Sequence, residues 1–121
     1  MLGPVQSIQL ERAMKITKVS PDYSVSPQIS VDDVARIAAL GFRSIICNRP
    51  DGEDPDQTDV DLIRAQAEAS GLAFAFNPAL SGNIQPQNVD DQRDALAALP
   101  GPVLAYCRSG TRCRNLWLLS R

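Results

Sequence analysis

Tyr106-Cys107-Arg108-Ser109-Gly110-Thr111-Arg112-Cys113 is the stretch on which the reading of this chain turns. Just before it, Pro102-Val103-Leu104-Ala105-Tyr106 predicts a short apolar strand. Just after it, Cys113 to Leu119 predicts the first turns of a helix. A cysteine at the C-terminal tip of a buried strand, then a tight loop, then a helix start, brings loop N–H groups and the positive helix end onto one spot. Such a nest binds an anion and also stabilises a thiolate. Arg112 adds a fixed charge and a planar fork suited to a tetrahedral oxyanion. Gly110 permits a backbone conformation or a close approach that a side chain would block. Cys107 is therefore the candidate nucleophile and Arg112 its anion-binding partner, with Arg108, Ser109, Gly110, Thr111 and Cys113 completing the loop. An isolated cysteine is ordinarily a small buried hydrophobe. Here Arg, Ser, Gly, Thr and Arg follow without an apolar interruption, company that a packing cysteine does not need.

The composition allows one domain with one core: 121 residues, 44% hydrophobic and 21% charged. No apolar run approaches a membrane span, and Gln6, Gln9, Glu11 and Arg12 interrupt the N-terminus where a secretory signal would be apolar. The net charge of −2 implies no attraction to nucleic acid or to an anionic membrane. Three cysteines point to a reducing compartment, so a cytoplasmic location is expected. The absence of histidine removes Ser–His and Cys–His dyads and histidine-ligated metals. Cysteines at 47, 107 and 113 lack the spacing of a structural zinc site. No metal or cofactor is expected, and activation of Cys107 falls to loop amides, the helix dipole and arginines.

Residues 1–13 show no period and are expected to be a disordered extension, with the domain over 14–121. Ile16 to Ile29 predicts one or two short strands. Ser30 and Asp33 have the spacing of a capping box, Val34, Ile37 and Ala38 form an apolar stripe, and Gly41 is a stop. Ser44-Ile45-Ile46-Cys47 reads as a strand buried on both faces, with Cys47 in the core. The polar loop Asn48 to Asp56 leaves the C-terminal end of that strand, where the crevice of an open parallel sheet lies. It is expected either to face the Cys107 loop or to be a solvated connector. A helix follows from about Asp59 to Ser70, then a buried-type strand over Leu72–Phe76, then a helix from Pro86 to about Leu99 with Val89, Leu96 and Leu99 inward. Trp117 and Leu118 are expected in a core or interface. The order predicts a three-layer α/β domain with a mainly parallel four- or five-stranded sheet. Six carboxylates crowd Asp51 to Asp61, whereas Cys107 to Arg121 holds four arginines and no acid.

Val25-Ser26-Pro27-Gln28-Ile29, Gly41 to Ile46, Asn48-Arg49-Pro50-Asp51-Gly52-Glu53 and Tyr106 to Arg112 together resemble the beta-lactamase-hydrolase-like, phosphatase-like domain family. The likeness runs from about Met14 to the end. It implies a small tyrosine or dual-specificity phosphatase fold, an active-site cysteine at Cys107 and an anion-binding Arg112. Some members are fused to a persulfide dioxygenase, which is thereby an expected partner, and part of the family carries a sulfur-transferase label. Against that pattern the chain is C-terminally short, which is expected to bare apolar surface beside the last helix.

Two chemistries compete. Tyrosine phosphatases use C-x5-R, whereas Arg112 follows Cys107 as C-x4-R, which resembles the rhodanese loop. A phosphatase also needs a general acid, and the loop Asn77 to Asn83 holds no carboxylate. Asp51 or Glu53 is the candidate acid or orienter of Arg112, with Arg49 beside them. Sulfane-sulfur transfer, from thiosulfate or a persulfide to a small thiol acceptor, needs no acid and is slightly favoured. Hydrolysis of a phosphorylated substrate is the alternative. A non-enzymatic thiol or anion sensor, with Cys113 as resolving thiol, is the third reading.

Overall fold

The computed structural model describes residue 9 and residues 13–121. The expected disorder of 1–13 lies, apart from positions 9 and 13, outside the described residues. Five strands, β1 (Thr17–Ser20), β2 (Tyr23–Ser26), β3 (Ser44–Cys47), β4 (Ala73–Phe76) and β5 (Val103–Tyr106), form one sheet in the order β1-β2-β5-β3-β4. β1 runs antiparallel to β2, and every other pairing is parallel. The helices that cover the sheet are, in chain order, α1 (Val31–Ala39), α2 (Val60–Ala69), α3 (Pro86–Ala98) and α4 (Thr111–Leu119).

The period-two alternation of β5 divides the core. Leu104 and Tyr106 join Ile45, Cys47 and the inner faces of α1 and α2. Val103, Ala105 and Cys107 point the other way, into a cluster with Tyr23, Val25, Ile46, Cys113 and the inner edges of α3 and α4. The result is the expected three-layer α/β arrangement. Continuous runs such as Ser44 to Cys47 and Val103 to Tyr106 are fully buried because helices cover both faces. β5, last in the chain, sits between β2 and β3, so the sheet changes winding direction there. The crevice of a doubly wound sheet opens at the C-terminal end of such a strand.

Local sequence accounts for the helix starts. At α1 the capping box is complete: Asp33 N–H donates to Ser30 Oγ at 3.2 Å, and Ser30 N–H to Asp33 Oδ2 at 2.9 Å. Gly41, at φ +98°, turns the chain out of α1, a conformation that disfavours a Cβ. Pro86 occupies the first turn of α3.

Three expectations need correction. The strand at 72–76 is not buried: β4 is a sheet edge with only β3 beside it, its residues are half-buried, and Phe76 is exposed. Leu118 is not in the core but exposed on the single chain, while Trp117 is half-buried and stacks on Tyr23 with ring centroids 6.1 Å apart. On α3, Val89, Leu96 and Leu99 are only half-buried, and the buried residue is Gln92.

Gln92 is fully enclosed and fully bonded. Its Oε1 accepts from Asn48 Nδ2 at 2.8 Å and Asn77 Nδ2 at 2.9 Å. Its Nε2 donates to Asn48 Oδ1 and to the Tyr23 hydroxyl, both at 3.2 Å. Asn48 and Asn77 follow the tips of β3 and β4, and Tyr23 in turn donates to the Cys113 carbonyl at 2.7 Å. One amide thus ties two loops and the start of α4 together. Gln92→Leu strands buried polar groups on Asn48, Asn77 and Tyr23, and should cost about 2–4 kcal/mol. Urea denaturation should register this as a lowered midpoint with little change in slope.

Candidate active site

Cys107 follows β5 directly and is fully buried. The strand pairing continues past it, with Cys107 N–H donating to Ser26 O at 3.3 Å and Asn48 N–H to Tyr106 O at 2.9 Å. Gly110 then closes the loop. Its φ of +94° is left-handed, and it turns the chain into α4. That turn aims the Gly110 N–H at Cys107 Sγ, 3.0 Å away.

The thiol is pulled down to about 5. The largest cause is the hydrogen bond from the Cys113 thiol; burial opposes it, and the N–H groups of Cys113, Ser109 and Gly110 add to it. Cys113 itself moves the other way, because it is buried and beside a thiolate. Burial also raises Cys47, a core residue whose Sγ lies 3.2 Å from Arg49 O. Tyr106 points to the opposite face of the sheet, its buried hydroxyl short of a hydrogen-bond partner.

Arg112 lies in the first turn of α4 and is nearly buried. Its Nη1 and Nη2 grip Glu53 Oε2 and Oε1 at 2.7 and 2.8 Å, and Nη1 also donates to Ala79 O at 2.9 Å. Glu53 is gripped a second time by Arg49 Nε at 2.8 Å. Arg49, buried, continues to Asp54 Oδ2 at 2.6 Å and Gln28 Oε1 at 3.0 Å. Asp54 then reaches Arg108 Nη2 at 2.8 Å across the mouth of the site. The hydrogen bonds from Arg112 and then Arg49, against the cost of burial, hold Glu53 down at about 2. The loop 48–56 does face the Cys107 loop.

Of the residues singled out in the sequence, Cys107, Arg108, Ser109, Gly110, Thr111, Arg112, Cys113, Arg49 and Glu53 are brought together. Glu53 orients Arg112. Asp51 does not: its Oδ1 accepts from Val60 N–H at 2.9 Å and so caps α2. The sequence reading missed Gln28, Asp54, Gln92 and the Ala79 carbonyl. Gln92 left a signal, a polar residue on the face shared by Val89 and Leu96; the Ala79 carbonyl left none.

Beside the loop lies a groove of about 600 Å³. Arg108, Ser109, Thr111 and Arg112 form one wall, and Ile84, Leu118 and Leu119 form an apolar wall. Among the described residues, no cluster of three or more His, Cys, Asp or Glu could hold a metal ion. No described helix is long and apolar enough to cross a membrane.

Residues 15–121 match the family model described as beta-lactamase hydrolase-like protein, phosphatase-like domain. A beta-lactamase hydrolase-like protein of Xylella fastidiosa (strain Temecula1 / ATCC 700964) is 38% identical over 107 residues, 88% of this chain and 25% of the relative. The chain therefore spans about a quarter of the length of the curated relatives it matches. A crystal structure of a candidate phosphatase from Neisseria meningitidis z2491 superposes with a TM-score of 0.79 at 41% identity, over 86% of this chain and 74% of that one. The catalytic core of the PP-IP phosphatase Siw14 from S. cerevisiae superposes with a TM-score of 0.58 at 16% identity, over 82% and 60%, a likeness of fold alone. The neighbours are phosphatase-like, so the comparisons lend the sulfur-transfer preference no support and favour the phosphatase alternative.

A thiolate titrating near pH 5 is directly measurable. Ultraviolet thiolate absorbance should rise as pH climbs through about 5, since the unprotonated form dominates above that value. Cys107→Ser should remove the transition, because Cys47 and Cys113 are raised. Cys113→Ala removes the main stabilising donor and should shift the midpoint upward.

Proposed function

This chain belongs to the beta-lactamase hydrolase-like protein, phosphatase-like domain family, and on that premise we propose that it is a cysteine-dependent phosphohydrolase. The observation that carries the proposal is the Cys107 sulfur, 3.0 Å from the Gly110 N–H, buried within a loop whose Arg108, Ser109, Thr111 and Arg112 line the groove. A phosphoryl group entering the groove accepts from the loop N–H groups and Arg112. These donors are fixed before substrate arrives, so they favour charge in the transition state without reorganisation. Cys107 Sγ attacks phosphorus in line, the S–P bond forms and the bond to the leaving oxygen breaks. Water then attacks phosphorus, the S–P bond breaks, and orthophosphate and the thiolate are released. Ser109 and Thr111, whose hydroxyls are 3.1 Å apart, line the rim.

A second reading, sulfane-sulfur transfer, is favoured by the state of Glu53, which beside Arg112 is paired twice over and holds no proton to give. In that reading Cys107 attacks the outer sulfur of a persulfide or thiosulfate donor, the donor's S–S bond breaks, and Cys107 carries a persulfide to an acceptor thiol. A persulfide dioxygenase is the partner this reading suggests. The C-x4-R spacing also supports it.

The experiment is a phosphate-release assay with aryl phosphates, beside intact mass after exposure to thiosulfate or polysulfide. Phosphate release that disappears in Cys107→Ser supports the phosphohydrolase. A reductant-labile gain of one sulfur on Cys107 without phosphate release overturns it in favour of transfer. Arg112→Lys keeps the charge but loses the fork, and kcat/KM should fall on the order of a hundredfold.

A further inference from the structure

Each carboxylate that the described residues bring near the groove is already engaged. Glu53 is the one carboxylate among the described residues lining it. Both its oxygens accept from Arg112, and Oε1 accepts from Arg49 as well. Asp54 is shared between Arg49 and Arg108. Asp51 caps α2. The segment from Asn77 to Gln85, which contributes Ser81, Gly82 and Ile84 to the groove, contains no acid. An alkoxide expelled from phosphorus needs a proton, because it is far more basic than the thiolate that displaces it. Guanidinium groups and Ser or Thr hydroxyls are too weak as acids to supply one near neutral pH.

We propose that the leaving group departs unprotonated, so that the enzyme is selective for phosphate esters of acidic, apolar phenols over alkyl phosphates. The proposal rests on the phosphohydrolase reading above and names its substrate class. In the first step the Sγ–P bond forms, the P–O bond breaks, and the electron pair stays on the aryl oxygen. No proton leaves the protein. The apolar lining of the groove suits the ring, since Ile84, Leu118 and Leu119 offer apolar surface in the same groove as the charged loop. Leu118 and Leu119 are 53% and 55% exposed, so a bound ring would remove apolar area from water.

The test is a series of fluorinated phenyl phosphates of near-equal size and graded phenol acidity, measured on the intact protein. kcat/KM should fall roughly tenfold for each unit rise in leaving-group pKa, as expected for bond cleavage without proton donation. An alkyl phosphate should be turned over far more slowly than any of them. A slope below about threefold per unit would mean that a proton donor reaches the leaving oxygen, and overturns the proposal while leaving the phosphohydrolase intact. Absence of phosphate release from every ester overturns the phosphohydrolase itself. Leu118→Asp should raise KM for the aryl esters roughly tenfold; an unchanged KM overturns the placement of the ring.

Discussion

The fork between Glu53 and Arg112 governs what this site can do. A guanidinium free to swing would sample many directions and present none to an incoming oxyanion. Here two parallel bonds at 2.7 and 2.8 Å, with a third to the Ala79 carbonyl, leave it one orientation. The same fork binds the loop after β3 to the first turn of α4, so strand β3 and helix α4 are joined where the sulfur sits. It also commits the carboxylate. An acid that holds an arginine in place cannot serve as a proton donor, because the charge that makes it a good anchor makes it a poor acid. Positioning and proton transfer are thus mutually exclusive roles for Glu53.

The sulfur is prepared by a separate set of donors. Cys113 stands where its thiol reaches Cys107, and α4 begins just before it. Burial alone would push Cys107 up, as it does Cys47 and Cys113. Three thiols in one small domain therefore end in two opposite states. What separates them is the Cys113 thiol beside Cys107 together with the turn at Gly110, which points a backbone N–H at that sulfur. Phosphate and persulfide sulfur both profit from such a cradle. That is why the covalent chemistry is the discriminating measurement.

Much of this was legible in the sequence, and for identifiable reasons. The order of apolar runs gave the three layers, Ser30 and Asp33 gave a cap, and the uninterrupted polar run after Cys107 gave the loop. Such signals are local: each element states its own period and its own punctuation. The edge position of β4 was not legible, because Ala73-Phe74-Ala75-Phe76 looks the same whether one neighbour lies beside it or two. Nor was the choice between Asp51 and Glu53. Two carboxylates two residues apart in a loop are equivalent on paper, and only the fold sends one to a helix N-terminus and the other to a guanidinium. Gln92 goes unnoticed because the apolar stripe around it invites an inward helix face and hides the amide at its centre.

The amide hub at Gln92 has a consequence for how the protein senses acidity. Asn48, Asn77 and Gln92 never change charge, and the Tyr23 phenol they hold is shifted far upward by burial. The charged brace beside them is fixed too, since Glu53 takes up a proton only in strong acid and arginine keeps its own. The frame that aims the two loops and α4 is therefore electrically silent from mildly acidic to mildly alkaline solution. Among the groups gathered at the groove, the sulfur of Cys107 alone has its charge change moved into that interval.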